Sequence, residues 1–331
     1  MTTSATVRVA GPYFDELERG QVERGAPALT LTDGHAAVHQ GILGGRLRLT
    51  LDAPLARRVC GGGQPLAHPA LVCDVAIGQS TLLTQRVIAN LFYRGLVLRR
   101  MPCIGDTLRT TTEVVALKQN RGRPDRAATG LAVLRIVTVD QDERPVLDFT
   151  RCAMLPLRDP DAATGHADAI EGEPLAFDTT TLAAPVDGWD LAALGTGFDA
   201  LAERTRYELE GGDVVSAAPE LARLSLNVAM AHHDERAGQA GRRLVYGGHT
   251  IGVAAAQLTR ALPGLATIVA WHGCDHLAPV FEGDTLRSAV ELERKEPLPG
   301  GGGLLHLRSR VRAERDGGVD VLDWRLIAVH P

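Results

Sequence analysis

The stretches GDTLRTTTEV (residues 105–114) and GDTLRSAVEL (residues 283–292) begin with the same five letters. The offset between their residue numbers is 283 − 105 = 178, which is more than half of the 331-residue chain. It is therefore far longer than the repeat of a solenoid protein, which is roughly 20–50 residues. A repeat on this scale indicates that a whole domain has been duplicated.

Other stretches recur at nearly the same offset. LVCDVAIGQ ends at Gln79 and HTIGVAAAQ ends at Gln257, and 257 − 79 is again 178. The endings VLDF and VLDW give 322 − 147 = 175 from Leu147 to Leu322, a drift that small differences in loop length explain. A chain of this length also suits two domains at about 150 residues each. The sequence thus predicts two copies of one structural unit.

The two predicted units are residues 10–157 and residues 185–331. Between them, residues 158–184 begin RDPDAATGHADAIEGEP, which is polar, acidic and poor in large apolar side chains. Such a composition is typical of a linker between domains.

Each unit repeats the same order of secondary structure signals, a helix followed by extended runs. The predicted central helices span residues 68–85 and 248–262, and both are apolar around much of their circumference, which predicts burial. The run LHLRSRVRA (residues 305–313) alternates as a strand with one buried face does. Residues on its predicted core face are Leu305, Leu307, Ser309, Val311 and Ala313. Antiparallel strands around one apolar helix predict an α+β fold.

Composition excludes several classes of partner. The formal net charge of −5 provides no basic excess for a phosphate backbone, so nucleic acid binding is not expected. The five cysteines are widely spaced and contain no CxxC pair, which predicts reduced thiols and a cytoplasmic protein. No stretch approaches a membrane span or a signal peptide, and no zinc-ligand spacing or nucleotide motif appears. We therefore expect no membrane association, no metal and no cofactor.

Several motifs resemble those of the MaoC-like dehydratases and (R)-specific enoyl-CoA hydratases. They are PYFDELERGQV (12–22), LVYGGHTIGVA (244–254), APVFEGDTLR (278–287) and the VLDW ending. LVYGGHTIGVA is most similar to the mesaconyl-CoA hydratase branch of that family. The resemblance implies a hotdog fold, a curved antiparallel sheet around a central helix, and two such units make a double hotdog.

The family carries catalysis on an Asp and a His that are five positions apart, before the central helix. In LARLSLNVAMAHHDE (221–235), His232 matches the family histidine and Asn227 stands where the Asp is expected. The first half has Gly45 and Thr50 in these places. The resemblance therefore implies a candidate active site in the second half and a degenerate one in the first half.

Adding water to an α,β-unsaturated thioester requires a base and a group that stabilises charge on the thioester oxygen. His232 is the candidate base because a histidine titrates near neutrality. Gly247 and Gly248 are the candidates for donating backbone N–H groups at the helix start, where a thioester can approach closely. A carboxamide cannot take a proton, so Asn227 would position water or substrate by hydrogen bonds.

Further residues are candidates for substrate contact. Tyr246 and His249 flank the two glycines and are the candidates for lining the pocket. For Tyr246 a packed structural role suits equally well, and for His249 a locally satisfied polar residue in the first helical turn is the favoured interpretation. The phosphates of coenzyme A would need basic partners, and the candidates are Arg204, Arg206, Arg242 and Arg243.

The sequence leaves three functions open. The first is a hydro-lyase acting on a short or branched enoyl-CoA or its 3-hydroxyacyl-CoA product. The second is a hotdog thioesterase. The third is a noncatalytic protein that binds acyl-CoA or an acyl carrier, which the replacement of the family Asp by Asn227 favours. A double hotdog already contains a pseudo-dimer, so a monomer or a homodimer is expected.

Overall fold

The structure is a computed structural model that describes residues 5–122, 127–170 and 172–331. Its α-helices are α1 (Asp33–Leu43), α2 (Arg48–Leu51), α3 (Ala53–Cys60), α4 (Pro69–Gln79), α5 (Thr179–Ala183), α6 (Ala218–Leu224) and α7 (Gly247–Ala261). The first-half strands are β1 (Val22–Glu23), β2 (Leu29–Thr30), β3 (Ala89–Leu98), β4 (Thr107–Gln119), β5 (Thr129–Val139) and β6 (Pro145–Pro156). The second-half strands are β7 (Arg206–Glu208), β8 (Asp213–Val214), β9 (Thr267–His276), β10 (Thr285–Pro297), β11 (Gly303–Ala313) and β12 (Val319–His330).

Short 3-10 helices complete the secondary structure. They span Phe14–Glu16, Ser80–Thr84, Ala184–Val186, Leu191–Leu194, Phe198–Ala200, Met230–His232 and Glu235–Ala237.

One antiparallel sheet runs through both halves, in the order β1-β4-β5-β6-β3-β9-β12-β11-β10-β7, with β2 paired to β4 and β8 paired to β10. The halves join where β3 pairs with β9, for example at Tyr93 opposite Cys274. The predicted α+β double hotdog is confirmed. The five residues predicted on the core face of the strand in residues 305–313 are all buried.

The two central helices are α4, which continues into the 3-10 helix Ser80–Thr84, and α7. They match the predicted helices. Gln79 at the end of α4 donates from Nε2 to the carbonyl of Leu108 (3.0 Å), and Gln257 donates in the same way to Leu286 (2.8 Å). The two glutamines differ by the repeat offset (257 − 79 = 178) and so do their acceptors (286 − 108 = 178), so the repeat holds at the level of single hydrogen bonds.

The described residues of the predicted linker are hydrogen-bonded to the sheet. The N–H of Asp168 donates to Leu117 (3.1 Å) and that of Leu175 donates to His272 (3.0 Å), so the segment is fastened to strands of both halves. The division of the chain into two domains at residues 158–184 stays a prediction.

None of the helices in the described ranges has the length and apolarity required to cross a membrane. The five cysteines form no disulfide bond with one another in the described chain.

Candidate active site

A cavity of about 190 Å³ lies where the two halves meet. The first half contributes the start of β3, with Asn90, and the second half contributes the end of β9 and the first turn of α7. Most of the lining is apolar. The polar side chains that face it are Asn90, His232, Gln239, Thr250 and His276. In the described part of the chain, no group of three His, Cys, Asp or Glu residues is arranged to hold a metal ion.

In the described chain, one side-chain hydrogen bond orients His232. It ends the 3-10 helix Met230–His232, and its Nδ1 lies 2.8 Å from the carbonyl oxygen of Leu244. A carbonyl can only accept, so Nδ1 carries the proton and Nε2 has a free lone pair. Burial lowers the pKa of His232 to about 4, which keeps the ring neutral at pH 7. His232 can therefore accept a proton at Nε2.

The first turn of α7 begins at the cavity wall, because Gly247 lines it. Tyr246, at the N-cap, contributes no side-chain cap. The backbone N–H groups at a helix start carry partial positive charge and suit an oxygen that gains negative charge. Gly248 has a packing role: a Cβ there would lie 2.1 Å from Oδ1 of Asp74 and 2.4 Å from the ring of Tyr246. Gly247 therefore lines the cavity together with His232, whereas Gly248 does not line it.

Tyr246 and His249 are buried behind the cavity and do not line it. The ring of Tyr246 packs edge-on against His232, with 5.7 Å between centroids, so it holds that imidazole in place. Burial and the neighbouring Asp74 raise the pKa of Tyr246 well above its usual value. Asp74 is itself buried and contacts Nε2 of His39 at 3.2 Å.

Asn227 does not share the cavity of His232. It lines a different cavity, together with Gly78, Gln79 and His233. Its Oδ1 accepts from the N–H of Ala229 (2.9 Å), which is a local turn contact. The cause is packing between the halves: the chain at Ser225–Asn227 lies against Gly78, where a Cβ would be 1.7 Å from the carbonyl oxygen of Ser225. Of the expected pair, only the histidine reaches the cavity.

The corresponding places in the first half are occupied by structural residues. Thr50 lies in α2 and donates from Oγ1 to the carbonyl of Leu47 (2.9 Å). Gly45 packs on His68, whose Nε2 would be 3.0 Å from an added Cβ. Neither residue offers a proton acceptor comparable with His232.

The four candidate arginines divide into two pairs. Arg242 and Arg243 lie in the loop between His232 and Gly247; Arg242 stacks over Phe281 (4.2 Å) and Arg243 pairs with Glu282 (2.9 Å). Arg206 lies in β7, at the outer edge of the sheet, and pairs there with Glu208; Arg204 lies just before this strand. Since β12, β11 and β10 separate β7 from β9, Arg204 and Arg206 lie outside the candidate site.

Two curated relatives match almost the whole chain. A beta-methylmalyl-CoA dehydratase of Chloroflexus aurantiacus is 30% identical over 92% of this chain and 89% of that protein. The chain belongs to the family of MaoC-like double-hotdog dehydratases and hydratases. A second member of the family, the mesaconyl-CoA hydratase of Cereibacter sphaeroides, is 28% identical over 90% of this chain and 88% of its own length. No family model matches the sequence.

Solved structures agree with this MaoC-like assignment. A conserved hypothetical protein of Mycobacterium tuberculosis, described as a double hotdog, is 51% identical with a TM-score of 0.89, covering 98% of this chain and 100% of that one. A protein described as a MaoC domain dehydratase, from Chloroflexus aurantiacus, is 27% identical with a TM-score of 0.87, covering 98% of this chain and 99% of that one.

Two cavity residues of this MaoC-like protein, His276 and Asn90, were not predicted from the sequence. Nε2 of His276 is buried without a hydrogen-bond partner in the described chain, and burial lowers the pKa of this residue to about 4. Asn90 faces it from the first half. A signal was present in the repeat, because the positions related to these two by the repeat offset are Leu98 and Ile268, which are apolar. At both positions, the half that lines the cavity carries a polar side chain and the other half carries an apolar one.

Proposed function

We propose that the protein is a hydro-lyase that adds water across the C2–C3 double bond of an enoyl-CoA thioester, or removes water from the 3-hydroxyacyl-CoA product. The observation that carries the proposal is the free Nε2 of His232, in a cavity that also holds the first turn of α7 at Gly247. The relatives named as a dehydratase and a hydratase of CoA thioesters support the same reaction class.

One histidine is enough to balance the reaction. In hydration, Nε2 of His232 takes a proton from water while the water oxygen bonds to C3. The electron pair of the double bond moves towards the thioester oxygen, where the N–H groups of the first turn of α7 stabilise it. The imidazolium then returns its proton to C2, so the net change is the addition of H and OH. Dehydration follows the same steps in reverse.

The environment of His232 favours the second step of this cycle, in which the imidazolium returns its proton to C2. A pKa of about 4 makes the neutral ring a modest base and its imidazolium a strong acid. Proton return to C2 is therefore favourable, and the ring is ready for the next turnover at neutral pH. His276 lines the same cavity and would hold the attacking water through its unpartnered Nε2.

The cavity accommodates the acyl end of the substrate. Its volume of about 190 Å³ is below the roughly 300 Å³ at which pockets for drug-sized ligands begin. We infer a short or branched acyl group inside and the coenzyme A moiety outside. Arg242 and Arg243, on the loop beside the cavity, are the candidates for its phosphates.

The test compares His232→Gln with Thr50→Ala, using crotonyl-CoA and mesaconyl-CoA as substrates. The loss of enoyl absorbance reports hydration, and free thiol reports thioester hydrolysis. We expect His232→Gln to lower the hydration rate by about 10²- to 10⁴-fold, the usual contribution of a general base, and Thr50→Ala to change it less than about threefold. Equal losses in both variants would contradict a single site in the second half. Thiol release without hydration would indicate a thioesterase, and binding without either reaction would indicate a noncatalytic acyl-CoA protein.

A further inference from the structure

The central helix of the first half carries a buried carboxylate. The sequence of α4 has one charged residue, Asp74, and the whole helix is buried. Burying a carboxylate is costly unless it has hydrogen-bond partners. In the second copy of the helix, the position related by the repeat (252 − 74 = 178) is Gly252, so the duplicated architecture does not require a carboxylate there. The fold alone therefore does not explain Asp74.

The two carboxylate oxygens of Asp74 face different elements. Oδ2 lies 3.2 Å from Nε2 of His39, a buried residue of α1, and accepts a hydrogen bond from it. Oδ1 faces Tyr246, at the N-cap of α7. A Cβ on Gly248 would lie 2.1 Å from this Oδ1 and 2.5 Å from Cζ of Tyr246, so both atoms border the same methyl-sized space. Asp74 thus bridges a helix of the first half and the start of the central helix of the second half.

The hydroxyl group of Tyr246 needs an acceptor. It is buried and has no hydrogen-bond partner in the part of the chain that the structure describes, which is an unfavourable state for a hydroxyl. Burial and then the charge of Asp74 raise the pKa of Tyr246 well above its usual value, as an anion that faces the phenol does. A small rotation of the phenol is enough to bring its hydroxyl to Oδ1 of Asp74.

The ring of Tyr246 connects Asp74 to the candidate base. It packs edge-on against the imidazole of His232, with 5.7 Å between the ring centroids. The carbonyl oxygen of Leu244 holds Nδ1 of that imidazole at 2.8 Å, which fixes one atom of the ring and leaves rotation about the hydrogen bond. The phenol restricts this rotation by contact. It therefore determines where Nε2 of His232 points in the cavity.

We propose that Asp74, held by His39, is a positioning residue for the catalytic base. Its Oδ1 accepts a hydrogen bond from the hydroxyl of Tyr246 and so fixes the phenol against which His232 rests. This inference rests on the proposed function in treating His232 as the base. The half that lacks a catalytic histidine then supplies the carboxylate that orients the base of the other half. A misplacement of a reacting group by about 1 Å can cost on the order of 10²-fold in rate.

The competing explanation is purely structural. Asp74 and Tyr246 also pack at the contact between the two central helices, where a Cβ on Gly248 would meet both of them. If packing were their whole role, their replacement would lower stability and leave the turnover of the folded protein unchanged. The turnover number and the state of the His232 ring separate the two explanations.

The first measurement is the hydration of crotonyl-CoA and mesaconyl-CoA by Tyr246→Phe, which keeps the ring and removes only the hydroxyl. We expect kcat to fall about 10- to 100-fold while KM stays within about threefold, because the base is misplaced and the cavity is unchanged. Asp74→Leu should give the same loss. The double variant should lose no more than the weaker of the two single variants, because both changes break one chain of contacts.

Asp74→Asn is the conservative variant. Its amide oxygen still accepts from Tyr246 while its shape is almost unchanged, so kcat should stay within about threefold of the wild-type value. Thr110→Val is the matched control. Thr110 is also buried, and its hydroxyl donates to Oε1 of Gln79 at the C-terminal end of α4 (2.7 Å). Its replacement removes one buried hydrogen bond, so it should lower the thermal unfolding midpoint and keep the wild-type kcat.

The second measurement needs no turnover. Long-range ¹H–¹⁵N correlation spectra of ligand-free protein labelled at its 11 histidines report the tautomer and the mobility of each ring. The resonances of His232 are assigned by their loss in His232→Gln. We expect one neutral form with the proton on Nδ1 in the wild type and in Thr110→Val. In Tyr246→Phe and Asp74→Leu the His232 resonances should shift or broaden.

The proposal is overturned if Tyr246→Phe keeps the wild-type kcat, or if kcat falls while the resonances of His232 stay unchanged. It is also overturned if Asp74→Asn loses as much activity as Asp74→Leu, because the charge and not the hydrogen bond would then matter. Shifted His232 resonances in a protein that hydrates no enoyl-CoA would contradict the proposed function and support the positioning contact. Hydration by the wild type with unchanged resonances in both variants would contradict the positioning contact alone.

Discussion

Replacing His249 by leucine is expected to stabilise the protein and to make it less sensitive to acid. His249 lies in the first turn of α7 and is fully buried. Neither ring nitrogen has a hydrogen-bond partner in the described chain. A neutral imidazole must carry one N–H, and an unsatisfied buried donor costs about 1–3 kcal/mol. Leucine has a similar size and no polar atom, so we expect the free energy of unfolding at pH 7 to rise by up to that amount.

The pH dependence follows from the titration of the same ring. Burial lowers the pKa of His249 to about 4 in the folded protein, compared with about 6.5 in the unfolded chain. The unfolded chain therefore binds the proton first. The contribution of this ring to the free energy of unfolding is therefore fully present above pH 6.5 and is lost as the pH falls towards 4. Between pH 7 and pH 5 this group alone removes about 2 kcal/mol, which His249→Leu should recover.

The assay is urea unfolding of the wild type and of His249→Leu at pH 7 and pH 5. Enoyl-CoA hydration is measured on the same samples, because His249 lies behind the cavity and its replacement should change turnover less than about threefold. The same loss of stability on acidification in both proteins would refute the reasoning from burial. A tenfold loss of turnover would show that His249 contacts the substrate after all.

Three further predictions concern Asn227, Gly248 and His232. Asn227→Asp keeps the acceptor for the N–H of Ala229 in a separate cavity, so the hydration rate should stay within about threefold of the wild-type rate. A gain in rate would contradict the placement of Asn227. Asn227→Ala removes that acceptor and should lower the free energy of unfolding by about 1 kcal/mol in denaturant titration. Gly248→Ala places a Cβ 2.1 Å from Oδ1 of Asp74, so the thermal unfolding midpoint should fall by the equivalent of about 1–3 kcal/mol; an unchanged midpoint would mean that the first turn of α7 relaxes freely. If His232 is the base, kcat/KM should decline on the acid side near pH 4 and not near 6.5; a limb between pH 6 and 7 would assign the base to another group.

Much of the fold could be predicted because its determinants are local and repeated. The alternation in residues 305–313 reflects which side chains of a strand face the core, and the apolar circumference of the central helices reflects their burial on all sides. The second half repeats these patterns at the offset of the two GDTLR motifs, so every local inference could be checked against its copy. His232 was identified differently, from the resemblance of LARLSLNVAMAHHDE (221–235) to the motif that precedes the central helix in the MaoC-like family, because the first half has Thr50 at the corresponding place.

The composition of the site depended on contacts between the halves, which no local pattern encodes. Asn227 is five positions before His232, yet the packing of Ser225–Asn227 against Gly78 places it in another cavity. Asn90 and His276 belong to different halves of the chain and face one cavity only because β3 pairs with β9. The sequence by itself determined the duplicated α+β architecture, since hydrophobic periodicity is a property of neighbouring residues. Only the tertiary structure decided which polar side chains share a cavity, because that depends on how two similar halves join at β3 and β9 and on the close contact that a single glycine permits.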